Sequence, residues 1–174
     1  MDLPSQLVSR DNSSLLRADV ADSAAVLQTD LRAGLSSGEA ERRFRSLGQA
    51  SVPSECPWAH VVRDGQPPRK LLSYLCVPGD LVELRSGVSV RVDGLLVECD
   101  GELVVELFGE RLEKSVYPSE EQLELPLEEL RNVVLSGSTV VRGAAMMLVV
   151  SVAPYTCWHE EKIARSSSPT CTLQ

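Results

Sequence analysis

The sequence predicts a mainly β protein of the α+β class, in which one or two short helices precede a compact unit of short antiparallel strands. The clearest helix signals lie within the first 48 residues. From residue 71 onward, valine-rich stretches alternate between apolar and polar residues, as half-buried strands do. Glycines recur there at a nearly even spacing, as turns between short strands would, at Gly79, Gly87, Gly94, Gly101 and Gly109.

The helical part falls into two segments. Residues 23–31 are predicted to form a short helix, and Gly34 follows as a breaker. Ser36 and Glu39 have the spacing of a capping box, which predicts a helix over 37–47, and Gly48 is placed as its C-terminal cap. Residues 1–22 are polar and rich in Ser and Asp, so we expect a flexible N-terminus there.

The strand signals begin after a proline-rich stretch. Residues 49–70 contain four prolines and are predicted to be a linker, with one strand over 59–63 and a turn at Asp64 and Gly65. Residues 119–132 are rich in Glu and Leu, which is compatible with either a broken helix or an acidic loop. Further strands are predicted over 80–84, 88–92, 95–97, 102–107, 133–135, 139–141 and 144–152.

Composition excludes several function classes. The 174 residues suit one domain, and 43% hydrophobic content suits a globular core. A formal net charge of −8 argues against nucleic acid as the main partner, because phosphate binding needs a basic surface. The cysteines are odd in number and form no CxxC pair, which argues against a disulfide framework or a zinc site: Cys56, Cys76, Cys99, Cys157 and Cys171.

A cytoplasmic location is expected from the same reasoning. The N-terminus has no apolar signal core. The longest apolar run, 144–153, is about half of the roughly 20 residues that a spanning helix needs, so it predicts a buried strand rather than a transmembrane segment.

Several segments of the chain match, in order, the sequence pattern of one known family. They are a TD-x-x-x-GL-like stretch followed by a basic helix ending in Gly at 27–48, VVRDGQ at 61–66, VPGDLVEL at 77–84, VDGLLVE at 92–98, and NVVLSGSTVVRGAAMMLVVSVAPYT at 132–156. Together these segments resemble the P-type cation ATPases, and most closely the plasma-membrane proton pump type, in which a strand like that at 61–66 enters the actuator domain. The resemblance covers residues 27–165 and implies a distorted jelly-roll-like actuator domain.

The resemblance also implies a domain organisation. We expect a flexible N-terminus over 1–22, an N-terminal helical element over 23–48 and a linker over 49–59, where complete pumps have their first two membrane helices. An actuator-like β domain over 60–165 and a flexible tail over 166–174 complete the chain. The phosphorylation motif DKTGT does not occur in the sequence. We therefore expect neither active transport nor ATP hydrolysis by this chain alone.

The catalytic loop of actuator domains, TGES, has an altered counterpart here. Its Glu positions the water that hydrolyses an aspartyl phosphate on a neighbouring domain. Gly109 and Glu110 match the motif, but Phe108 replaces Thr and Arg111 replaces Ser. Glu110 is thus the candidate catalytic residue, and Arg111 is expected to pair with it and quench it as a base. The alternative is a surface turn with one solvated carboxylate.

Other residues carry weaker signals. Cys171 stands fourth from the end, in a C-a-a-X prenylation pattern that ends in Gln; the alternative is a cysteine there by chance. One lipid chain, with only Lys162 and Arg165 as basic support, implies weak membrane contact. His60 and His159 are far apart in sequence and form no metal-ligand spacing.

Asp80 and Asp93 each neighbour a glycine in the family-like segments. We predict that they hold turns through bonds from side chain to backbone, rather than acting in catalysis. No nucleotide-binding P-loop and no other cofactor motif occurs, so no cofactor is expected.

Three functions remain open from the sequence. The first is a non-catalytic interaction or regulatory module that acts with a full-length P-type ATPase. The second is a small-molecule enzyme, an acid-base isomerase or cyclase of a biosynthetic pathway, which would draw on Glu110, Asp80, His60 and His159. The third is a non-functional fragment, against which the intact strand alternation argues.

Overall fold

The computed structural model describes residues 12–48, 55–118, 124–153 and 155–157. Within these ranges, three helices precede nine strands, which confirms the predicted α+β class. The helices are α1 (Ser13–Leu16), α2 (Val20–Val26) and α3 (Ser37–Ser46). The strands are β1 (Trp58–Val62), β2 (Arg69–Leu72), β3 (Leu81–Arg85), β4 (Asp93–Cys99), β5 (Leu103–Leu107), β6 (Glu110–Lys114), β7 (Val133–Val134), β8 (Thr139–Arg142) and β9 (Ala144–Ser151).

The strands form two antiparallel sheets. The larger sheet has the order β2-β1-β3-β9-β4-β7, and the smaller has the order β6-β5-β8. Strand β9 lies inside the larger sheet, where it pairs with β3 on one side and with β4 on the other. Short 3₁₀ turns at Ser73–Leu75 and Leu127–Glu129 connect strands.

Alternation along β9 divides the core between two layers. Met147 and Val149 pack with residues of the smaller sheet such as Val105. Leu148 and Val150 point to the opposite face of the larger sheet, where the helices lie. Since successive side chains of a strand point to opposite faces, this one apolar run serves both interfaces. The larger sheet is therefore covered by the smaller sheet on one face and by the helical segment on the other.

The helical segment begins earlier than the predicted boundary at residue 23. A helical turn starts at Ser13, and α2 begins at Val20, where the Asp19 side chain accepts a hydrogen bond from Ala21 N at 2.8 Å. Leu16 is only 1% exposed and packs with Leu27 against the larger sheet. Burial of such apolar side chains outweighs the polar composition of the neighbouring residues, which had suggested mobility.

The prediction for α3 is confirmed at both ends. Ser36 Oγ accepts a hydrogen bond from Glu39 N at 3.2 Å, as in a capping box. Gly48 follows the helix with a φ of 70°, which is the left-handed conformation that ends many helices. The carboxylate of Glu39, however, accepts from Arg43 Nε at 2.7 Å instead of serving only as a cap.

Strands β2 and β6 were not predicted, and the strand predicted over 88–92 is not formed as a full strand. β2 falls at the end of the stretch expected to be a linker, and β6 (ERLEK) is too charged to show an apolar pattern. Both lie at sheet edges, where solvated charges are tolerated. The segment 88–92 alternates in burial as predicted, but it forms only a single bridge, from Ser89 to Thr139.

The loop from Val77 to Asp80 connects the helical segment to the larger sheet. Arg43, only 5% exposed, donates to the carbonyl of Pro78 at 2.7 Å and to that of Leu27 at 2.7 Å. Thr29 Oγ1 donates to the carbonyl of Gly79 at 2.9 Å. Helix α3, through Arg43, and the residues just after α2, through Leu27 and Thr29, are thereby tied to one loop. Buried polar contacts such as those of Arg43 tolerate little displacement.

The Arg43→Met variant tests this connection. Methionine keeps the apolar stem but leaves two buried carbonyls without their donor, so we expect the free energy of unfolding to fall by about 2–4 kcal/mol. Urea denaturation measures the loss. The matched control is Arg45→Met on the same helix, where the side chain is 76% exposed, and a change within about 0.5 kcal/mol is expected there. Equal losses in the two variants would contradict the assignment.

Gly79→Ala tests the close approach of the loop to α3. A Cβ at this position would lie 2.3 Å from Arg43 Nη1 and 2.6 Å from Thr29 Oγ1. Gly87→Ala is the control, since Gly87 also has a positive φ but has no atom within 4 Å of the added carbon. We expect Gly79→Ala to destabilise the protein by about 2 kcal/mol more than Gly87→Ala in thermal or urea unfolding. No difference between them would show that the contact is soft.

Candidate functional site

The TGES-like segment forms the tip of the β5–β6 hairpin. Leu107 pairs with Glu110, so Phe108 and Gly109 are the two residues of the turn. Their φ angles are 53° and 82°, and two successive positive φ values define a type I′ turn. The glycine suits this turn, whereas Phe108 adopts a conformation that bulky residues seldom take. The tip is therefore a tight, defined structure.

The tip presents an aromatic ring and a solvated carboxylate. Phe108 is 69% exposed, and Glu110 is exposed as well. The expected pairing of Arg111 with Glu110 is wrong, because adjacent strand residues point to opposite faces. Arg111 Nε instead lies 3.9 Å from Glu106 Oε2 across the strand pair. Both partners are largely solvated, so this ion pair is weak.

A buried lysine anchors the other end of β6. Lys114 is 3% exposed, and its Nζ donates to the carbonyls of Glu128 at 2.7 Å and Leu130 at 2.8 Å. Burial lowers the pKa of Lys114 to about 8, and the charge of Glu128 opposes that shift only in part. This clasp joins the hairpin to the 3₁₀ turn before β7. No sequence pattern predicted this contact, although the alternation after the Phe108-Gly109 turn places Lys114 on the inner face.

Asp80 holds a turn, as predicted, and also a buried ion pair. Asp80 is fully buried, and its carboxylate accepts a hydrogen bond from Val77 N at 2.9 Å. Arg63 donates to the same carboxylate from Nε at 2.8 Å and from Nη2 at 2.6 Å. Burial lowers the pKa of Arg63, but the hydrogen bond and charge of Asp80 more than offset that effect, so the pKa is raised. Both carboxylate oxygens are engaged, which leaves Asp80 no free atom for acid-base chemistry.

Asp93 connects three distant parts of the chain. Its two oxygens accept from Ser136 N and Cys157 N, each at 2.7 Å. Asp93 thus bonds to backbone groups, but the predicted turn is wrong, because Asp93 begins strand β4 and both partners are distant in sequence. Burial raises the pKa of Asp93, while these two hydrogen bonds act in the opposite direction. The contacts hold the end of the described chain against β4 and are structural.

The other residues predicted as candidates are His60, His159 and Cys171. His60 lies on β1, and its Nδ1 is buried without a hydrogen-bond partner in the described part of the molecule. His159 and Cys171 lie outside the described residues. Over the ranges that the structure covers, no three His, Cys, Asp or Glu side chains are grouped as metal ligands. No described helix is long and apolar enough to cross a bilayer.

Comparison with known proteins decides the family. The sequence model of one protein family, the P-type ATPase actuator domain, matches residues 55–165 of this chain. The chain belongs to this family. The actuator-domain match begins close to β1 and covers the whole of both sheets, so the hairpin tip lies within it.

The curated relatives are calcium-transporting. Calcium-transporting ATPase 1 of Lactococcus lactis is 34% identical over 123 residues, which cover 67% of this chain. Calcium-transporting ATPase lmo0841 of Listeria monocytogenes is 35% identical over 118 residues, which cover 66% of this chain. The chain spans only 13% of the length of each relative.

Solved structures of P-type ATPases are also similar. The crystal structure of a zinc-transporting PIB-type ATPase superposes with a TM-score of 0.46 and 20% identity. The superposition covers 78% of this chain and 21% of that one.

The buried lysine makes stability depend on pH in a defined window. Unfolded lysine titrates near 10.5, so between about pH 8 and 10.5 the unfolded chain binds more protons than the folded chain. The contribution of Lys114 to the free energy of unfolding therefore rises across this window and is constant below it. Urea unfolding at pH 7.5, 8.5 and 9.5 should show this rise in wild type and its absence in Lys114→Met. Lys70→Met, at an exposed position, is the control, and parallel pH profiles for all three proteins would contradict the effect.

Proposed function

We propose that this protein is a non-catalytic interaction module that acts with a full-length P-type cation pump at the cytosolic face of a membrane. The observation that carries the proposal is the hairpin tip. There the family's threonine is replaced by an exposed aromatic ring, and the remaining carboxylate of Glu110 is solvated. An exposed aromatic side chain suits binding, because such residues often anchor protein interfaces.

The buried ionic groups support a non-catalytic role. Arg43, Arg63, Asp80, Asp93 and Lys114 are all engaged with backbone groups or with each other. Each of them holds segments of the described fold together. The enzyme alternative needs several titratable groups converging in a pocket, and no observation here favours it.

The partner is proposed by class. Actuator domains work against other domains of a pump, so a chain of this family is suited to dock on those domains. The sequence segments alone suggested a pump of the proton type, whereas the curated relatives are named as calcium-transporting ATPases. Both kinds of pump are therefore used as bait, each in a nucleotide-free and a phosphorylated state.

Capture on detergent-solubilised, immobilised pumps tests the proposal, with the Phe108→Ala variant beside wild type. We expect wild type to be retained by at least one pump and Phe108→Ala to bind about tenfold more weakly, since loss of an aromatic anchor costs more than about 1 kcal/mol. Tyr117→Ala is the control, because Tyr117 is an exposed aromatic residue outside the hairpin. Failure to bind any pump in both states, or formation of a phosphoenzyme by this chain alone, would overturn the proposal.

Membrane contact through Cys171 is a second part of this proposal. A prenyl group there would raise the local concentration of the module near a pump, with marginal affinity on its own. Detergent-phase partition of the protein expressed in cells, compared with Cys171→Ser, measures it. We expect the wild type to enter the detergent phase and the variant to remain aqueous; equal partition of the two would exclude lipidation.

A further inference from the structure

Strand β2 leaves one side of the larger sheet open. Among the described residues it pairs with β1 alone. Ser73 N donates to the carbonyl of Pro57 at 2.9 Å, so Ser73 faces β1. Since the bonding direction alternates along an antiparallel strand, Leu71 also faces β1, whereas the backbone groups of Lys70 and Leu72 point outward. An added strand would find their amides and carbonyls available.

The face beside this edge carries an exposed anchor. Trp58 is 51% exposed, and Lys70 Nζ lies 4.8 Å from the centroid of its ring. Trp58 stands opposite Leu72 in the β1–β2 register, so Trp58, Lys70 and Leu72 share one face. Tryptophan is among the residues that most often carry binding energy at interfaces. Charged side chains such as Lys70 are enough to protect a sheet edge against aggregation, so that role does not explain why Trp58 is exposed.

The charge at this edge selects among possible occupants. β2 contains two exposed cations, Arg69 and Lys70, and no acidic residue, although the chain as a whole carries a net charge of −8. A second copy pairing through β2 would bring four cations together, which is unfavourable. The acidic stretch of this chain over 124–129 adjoins β7, at the opposite edge of the sheet, about 24 Å away at the usual strand spacing.

We propose that the β2 edge binds an extended, acidic segment of a partner protein by strand addition. A carboxylate of that segment meets Lys70, and an apolar side chain two residues away lies against Trp58 and Leu72. Main-chain bonds to Lys70 and Leu72 supply the register. This surface lies on the larger sheet, away from the hairpin tip of the smaller one, so it does not depend on the proposed pump docking.

Tryptophan fluorescence measures the binding directly. The full chain contains two tryptophans, so a Trp158→Phe background leaves Trp58 as the reporter. The probes are blocked peptides of about ten residues in which every second residue is Ser and the positions between alternate Glu with Val (the Glu-Val peptide) or Lys with Val (the Lys-Val peptide), so that the charged and apolar side chains share one face. The third probe is the Glu-Val peptide with every amide N-methylated, because methylation of alternate amides would leave one edge free to pair. At low ionic strength we expect saturable quenching or blue shift with the Glu-Val peptide only, because the Lys-Val peptide is repelled and the methylated peptide cannot pair.

Two variants separate the charge from the backbone contribution. Lys70→Glu should weaken binding of the Glu-Val peptide about fivefold or more and create binding of the Lys-Val peptide. Leu72→Pro removes the outward amide at a residue whose φ is already −63°, so the fold should tolerate it while binding is lost. Arg91→Glu, an exposed change on another segment, should leave binding unchanged.

Each outcome is decisive when the melting curves show the variants folded. Preference for the acidic peptide, lost on N-methylation and in Leu72→Pro, supports the proposal. Equal binding of the methylated and unmethylated acidic peptides reduces the site to charge adsorption and overturns strand addition. If Trp58 fluorescence does not change at millimolar Glu-Val peptide, the cations of β2 only protect the edge. That result also overturns the proposal.

Discussion

The loop from Val77 to Asp80 fixes where α3, the end of β1 and strand β9 lie relative to one another. Asp80 takes the Arg63 guanidinium at the end of β1, and the backbone of Gly79 and Asp80 bonds to Val149 of β9. Arg43 brings the helical segment to the same loop. Burying a guanidinium is costly unless its donors are satisfied, so each arginine has one place where it can fit. The loop therefore sets the position of the helices and of the larger sheet together.

This distribution of charge has a functional consequence. The buried carboxylates and cations hold segments of the fold together. The exposed tip of the β5–β6 hairpin is therefore the candidate site. Lys114 ties the base of that hairpin to the turn at Leu127–Glu129, and the type I′ turn fixes its end. A rigid support that presents Phe108 and Glu110 to solvent suits recognition of a partner surface, because little conformational freedom is lost on binding.

Much of the fold could be predicted from local signals. The capping box at Ser36, the alternation over 144–152 and most of the regular glycines reflect local physical chemistry, and the structure confirms the elements they indicate. Gly94 is the exception, because it lies inside strand β4 and not in a turn. The early helical turn and strand β6 were missed because tertiary contacts decide them: Leu16 finds a sheet face, and the charged β6 pairs with β5. The partners of Arg43 and Lys114 are backbone carbonyls distant in sequence, which no spacing rule reveals. The hairpin tip could be predicted as a candidate site only because its sequence resembles a family motif. The same comparison showed that Phe108 stands where the motif has Thr.

We expect the helical segment and the two sheets to unfold as one cooperative body joined at this loop. Native-state hydrogen exchange of backbone amides, followed by NMR as urea is raised toward the unfolding transition, tests that claim directly. Slow amides of α3, such as Ala40, should merge with those of β9, such as Leu148, into the single opening that gives global unfolding. If the amides of α3 instead exchange through a separate opening of much lower free energy and urea dependence, the helices are an independent appendage and the account is wrong.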